Sequence, residues 1–137
     1  MEAGAGTLVL EAPSKSTQRD SAIRLIAETM PLTGYRGIRA DLPGWDLPEV
    51  IHGAVKDHRP CISCEAPKPI FVDVLALGAV EIDEIASRWQ LFASAAELSN
   101  GEFHLVVPRW LVSRDGRQIA RQLAELVGVR IGYIWAI

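Results

Sequence analysis

Apolar and polar positions alternate along the chain with two different periods. Ala22, Ile23, Ile26, Ala27 and Met30 recur at helical spacing, Ser16 or Thr17 can cap what precedes them, and Pro31 cannot continue the turn. A first helix is predicted from about residue 16 to 30. Ahead of it, "MEAGAG" reads as a flexible end, and "TLVLEAP" fits a short strand or an extended arm equally well. "GYRGIRADL" (34–42) reads as the first core strand. The turn-rich stretch 43–59 is a loop with one helical turn or short strand over Leu47–Ile51. Strands follow over 60–66 and 69–77, joined by a turn at Pro67–Pro69 into a hairpin. From Glu81 to Glu97 the period becomes 3.6, with Ile82, Ile85, Trp89, Phe92 and Ala96 on one face. "EFHLVVP" is a buried strand ended by Pro108. Ser113 caps a helix over 114–127 that turns Ile119, Ala120, Leu123, Leu126 and Val127 inward and stops at Gly128. "VRIGYIWAI" closes the chain as a strand.

The predicted order is therefore α-β-β-β-α-β-α-β. Strands that re-enter a sheet through helices lie parallel to their neighbours, whereas a hairpin is antiparallel. The fold class is α/β: a mixed central sheet of about five strands with helices on both faces. One domain over 16–137 follows an N-terminal arm over 1–15.

Composition narrows the function classes. The chain has 137 residues, 49% hydrophobic and 23% charged, which suits one packed core. A net charge of −3 argues against a generally basic nucleic-acid binder. A local basic face stays open, because 11 of the 14 cationic residues are Arg. Neither a basic-then-apolar leader nor an 18-residue apolar run is visible, so neither a signal peptide nor a membrane span is expected. Two cysteines without a leader point to a reducing, cytoplasmic setting.

Candidate chemistry concentrates in "HRPCISCEAPKPIFVDVL" (58–75). His52, His58, Cys61 and Cys64 are ligand types that suit zinc. If 60–66 is a strand, however, Cys61 and Cys64 are three apart and point to opposite faces. A redox C-x-x-C belongs at a helix N-terminus, and no helix starts here. Two buried cysteines acting as small apolar residues is the favoured reading. Asp73 is a lone acid in an apolar run. It is costly to bury unpaired, so a partner such as Arg39 or Arg59, or a place at a sheet edge, is expected, unless it marks a site. A three-residue turn over Ala66–Lys68 sets Cys61 opposite Asp73; a two-residue turn shifts the pairing by one.

The element order, "GYRGIRADLPGW" before the hairpin, "RPCI" opening its first strand, "IFVDVLA" as its second and "FHLVVP" before a helix together resemble the PD-(D/E)XK, or restriction-endonuclease-like, nucleases. The likeness covers about 16–137. The family's second strand opens with Pro-Asp, and its third carries Glu-or-Asp, any residue, Lys. Pro60 and Asp73 match; Cys61 stands in the Asp place and Leu75 in the Lys place. The resemblance implies a former metal-dependent phosphodiesterase centre. Such chemistry needs carboxylate oxygens around a hard cation and a lysine to offset charge. With a soft thiol and a leucine in two of those places, the expectation is a catalytically inactive binding or assembly module that takes no cofactor. The alternative is a divergent magnesium- or manganese-dependent nuclease using Asp73 with Glu65, Asp41 or Glu28, its lysine replaced by Lys56 or Lys68. Nucleic acid is a candidate partner through Arg114, Arg117 and Arg121, which share a helical face, and through Trp110, the best exposed candidate among Trp45, Trp89, Trp110 and Trp135. Dimerisation is common in relatives of this fold, and "IGYIWAI" supplies an apolar edge for it. No membrane partner is expected.

Overall fold

A computed structural model describes residues 15–75, 81–111 and 113–137. Of the expected arm over 1–15, only Lys15 lies within them, as does all but residues 76–77 of the second hairpin strand. Helix α1 (Lys15–Thr29) runs into a 3-10 turn at Met30–Thr33, closed by Gly34 in the left-handed region. Strands β1 (Arg39–Ala40), β2 (Ile62–Cys64) and β3 (Ile70–Val74) follow, then α2 (Ile82–Leu98) and β4 (Glu102–Val107). A small hairpin, β5 (Trp110–Leu111) and β6 (Arg114–Asp115), leads into α3 (Gly116–Val127) and the last strand, β7 (Tyr133–Ala136).

The main sheet has the order β1-β2-β3-β4-β7. β1, β2 and β3 are antiparallel in turn, whereas β3, β4 and β7 are parallel. α2 carries the chain from β3 to β4 and α3 from β4 to β7, so the mixed α/β sheet follows from the helix-to-strand alternation in the sequence. Helices cover both faces. On one, α1 lays Ala22, Ile23, Ile26, Ala27 and Met30 on Ile62, Cys64, Ile70 and Val72. On the other, α2 and α3 lay Trp89, Phe92, Ala120 and Ala124 on Phe103, Leu105 and Val107. β4 lies between β3 and β7 under both layers, and Phe103 through Val107 are all buried.

Several sequence expectations are corrected. Ser16 and Thr17 lie inside α1, not before it. The first strand shrinks to two residues: Gly37 takes φ +70 and Ala40 donates to Asp46 O in the following loop, which bends the segment away from the ladder. Helix α3 starts two residues later than expected, because 110–115 pair as a hairpin, Trp110 with Asp115. Asp115 is the cap, accepting from Arg117 N at 3.0 Å, and Ser113 sits at φ +61 in the hairpin turn. Leu126 and Ile82 point outward, being 67% and 38% exposed; α3 buries Ala124 in Leu126's stead. The segment 47–51 contributes only an isolated bridge, Ile51 to His58.

Candidate functional site

The hairpin register Cys64↔Ile70, Ile62↔Val72 is the three-residue-turn alternative, and it carries Cys61 to Asp73. Cys61, one residue ahead of β2, donates its backbone N–H to Val72 O and its thiol to Asp73 Oδ1 at 3.3 Å. Asp73 is 5% exposed on β3 and faces α2. Two consecutive α2 residues meet it. Arg88 donates Nη2 to Oδ1 at 2.7 Å and Nε to Oδ2 at 3.2 Å. Trp89 donates its indole N–H to Oδ2 at 3.0 Å. A carboxylate offers about four lone-pair sites. Here each oxygen accepts two hydrogen bonds, so four donors saturate Asp73.

Arg88 is itself held in place. Its Nη2 also reaches Arg59 O at 3.2 Å, and its guanidinium lies over the Phe92 ring, 5.0 Å from the centroid. Burial works against its charge, but the hydrogen bonds and charge of Asp73 outweigh that and raise its pKa above the ordinary value. A second pair stands alongside. Arg19, from α1, donates Nη2 to Asp41 Oδ2 at 2.9 Å and reaches Cys61 Sγ at 3.6 Å. The result is a line Asp41–Arg19–Cys61–Asp73–Arg88, in which two carboxylates and two guanidiniums cancel in charge around one thiol. Burial, then the charge of Asp73, push that thiol up to about 12, so Cys61 is protonated at neutral pH.

The other sequence-derived candidates are spread out. Leu75 is buried in the α2-facing core, and Pro60 is buried beside Cys61. Glu65 is exposed at the far end of the hairpin, against Gly37, four strand residues and roughly 13 Å from Cys61. Glu28 is exposed on α1. Lys56 pairs with Glu84 and Lys68 with Glu102, each at 3.2 Å. Arg39 and Arg59, the expected partners of Asp73, instead donate to the backbone at Leu47 O and Pro48 O. His52 pairs with Asp57, and His58 Nε2 meets Ser87 Oγ at 2.7 Å. Both cysteines are free and buried. Among the described residues, no three His, Cys, Asp or Glu side chains converge as a metal cluster would. Trp89 is core, as expected, and Trp110 is 66% exposed. Arg117 and Arg121 are exposed on α3, whereas Arg114 belongs to β6 and breaks the proposed helical row.

Sequence reading missed Arg88 and Arg19. The only signal for Arg88 was its place next to Trp89, at the border of the apolar stripe. Its meaning depends on which sheet face α2 covers. No protein-family model matches this chain, and no curated protein or solved structure matches it. Among the described residues, no helix is long and apolar enough to cross a membrane.

Proposed function

We propose that this chain is a restriction-endonuclease-like domain whose metal centre has been replaced by an internal ion pair, and that it serves in the cytoplasm as a binding or assembly module. The strand and helix order supports that lineage, as does the meeting of Pro60, Cys61 and Asp73 in one hairpin. One observation carries the inactive reading: all four acceptor sites of Asp73 are taken, two of them by Arg88. A divalent cation would have to displace a guanidinium, an indole N–H and a thiol to gain one carboxylate. A buried pair broken in that way leaves an uncompensated cation behind. Magnesium also wants several hard oxygens, and the neighbours of Asp73 are sulfur and nitrogen.

The test is direct. Purified chain is incubated with plasmid DNA and with RNA in magnesium or manganese. No cleavage is expected, and manganese is expected to leave the thermal midpoint unchanged. Cleavage that disappears in Asp73→Ala would overturn the reading and restore the divergent nuclease built on Asp73 with Glu65, Asp41 or Glu28.

A further inference from the structure

We propose that two copies of this chain join through the outer edge of β7, merging two five-stranded sheets into one. This rests on the reading of the chain as an assembly module, but on residues remote from Asp73. β7 ends the sheet: β4 pairs with one side of it, and among the described residues no strand pairs with the other. Unpaired edges recruit further strands unless they are blunted by charge, proline or a covering element. β7 reads Tyr-Ile-Trp-Ala, with no charge and no proline, and Tyr133 is 54% exposed.

The backbone sets which groups are free. Ile137 donates to Val107 O and accepts from Arg109 N, so its groups face β4. Peptide groups alternate along a strand, so those of Tyr133 and Trp135 also face β4, whereas those of Ile134 and Ala136 face outward. Gly132, at the strand's start, also donates to β4, at Phe103 O, so the free edge begins after it. Antiparallel pairing of two such edges needs an outward residue opposite an outward residue. A two-fold axis through Trp135 meets this condition, with Ile134 bonded to the partner's Ala136 and Trp135 beside the partner's Trp135. Cross-strand aromatic pairs of that kind stabilise a sheet.

The charges on α3 fit the same axis. Arg117, Arg121 and Glu125 recur every four residues, and with Tyr133 and Ile134 they line a groove of about 430 Å³ beside β7. Arg109 O accepts from Gly116 N, and Arg109 N donates to Ile137 O, so the start of α3 is level with the end of β7. Moving back from Ile137 to Trp135 covers about 6.6 Å of strand. That equals about 4.4 residues of helix and lands at Ala120–Arg121. α3 runs antiparallel to β7, as a crossover between parallel strands must. The axis therefore sets Arg117 opposite the partner's Glu125 twice over and Arg121 beside the partner's Arg121, each Arg121 one turn from both Glu125 carboxylates. The row is complementary at its two ends, where each Arg117 meets a Glu125, and like-charged only at its centre. Glu125 within it disfavours the alternative occupant of these arginines, a nucleic-acid phosphate backbone.

Sedimentation velocity of the full chain from micromolar to millimolar concentration, without metal or nucleic acid, tests the pairing. A dimer is expected. R117E and E125R should each weaken it about tenfold, since two symmetric pairs are reversed together. The double variant R117E/E125R should restore it, which mere misfolding would not do. Ala136→Pro removes an outward N–H that β4 does not use, and should give a folded monomer by circular dichroism. A monomer at every concentration, a dimer indifferent to the charge reversals, or singles not rescued by the double would overturn the proposal. The cleavage assay reads Asp73 separately, so either conclusion can fail without the other.

Discussion

Arg88 reaches back fifteen residues from α2 to close Asp73 with the two N–H groups, Nη2 and Nε, of one guanidinium edge, at 2.7 and 3.2 Å. The pair lies where β3 passes under α2. Because Asp73 keeps 7% side-chain exposure and Arg88 22%, solvent screens their attraction only weakly. The pair settles where a buried charge finds its counter-ion, and it leaves no oxygen of Asp73 unused.

Removing one partner should cost far more than removing both. Arg88→Ala leaves a carboxylate in the core with only the indole and thiol donors. A loss of about 3 kcal/mol is expected, the low end for a broken buried pair because Arg88 is partly exposed. Arg88→Met combined with Asp73→Leu should recover most of that loss, since apolar groups of similar volume need no counter-ion. Urea denaturation of the singles and the double checks this, and a double no more stable than Arg88→Ala would refute it.

Acid should destabilise the fold from the histidine range downward. His104 is fully buried; Trp135 donates its indole N–H to Nδ1 at 3.2 Å, so Nε2 carries the proton towards Glu102 at 2.9 Å. Burial lowers the pKa of His104, although Glu102 pulls the other way, and burial lowers that of His58 too. A histidine with a depressed folded pKa leaves stability complete above the unfolded value, about 6.5. Stability falls as pH drops from there toward the folded value, because the unfolded chain binds more protons. Below about 4.5, Glu102, held down first by its bond to His104 and then by Lys68, adds a further loss in the same direction. Stability measured between pH 7.5 and 5 should decline, and less steeply in His104→Gln.

Neither thiol should react in the folded state. Burial raises Cys61 to about 12 and Cys64 to about 11, and they are 1% and 4% exposed. The thiolate is the nucleophile, so both position and protonation protect them. Titration with Ellman's reagent should release two equivalents per chain in denaturant and almost none in native buffer. Rapid native labelling of either cysteine would contradict the packing.

Gly116→Ala should be severely destabilising although alanine is the better helix former. A Cβ at Gly116 would meet the carbonyl oxygen of Pro108, which belongs to backbone and cannot swing aside. Helix propensity alone would favour alanine by about 1 kcal/mol. The clash reverses that sign by requiring the backbone at Pro108 to shift, and thermal unfolding of the variant measures the loss.

Local pattern determined much of this protein. The apolar stripes Ala22–Met30 and Trp89–Ala96, the stops at Pro31 and Gly128, and the alternation of strand and helix make a mixed α/β sheet the arrangement that buries all those faces at once. The hairpin's turn even limited Cys61 and Asp73 to two pairings. These features act over a few residues, so they are written in consecutive letters. Tertiary structure alone decided which cation meets Asp73: Arg39 and Arg59 are the partners the sequence suggests, yet the crossover sets Arg88 above β3. It also decided that a hairpin forms before α3 begins, and that β7 stands at an edge of the sheet. Those outcomes depend on the order of strands and the face each helix covers, and both are fixed by burial summed over the whole chain.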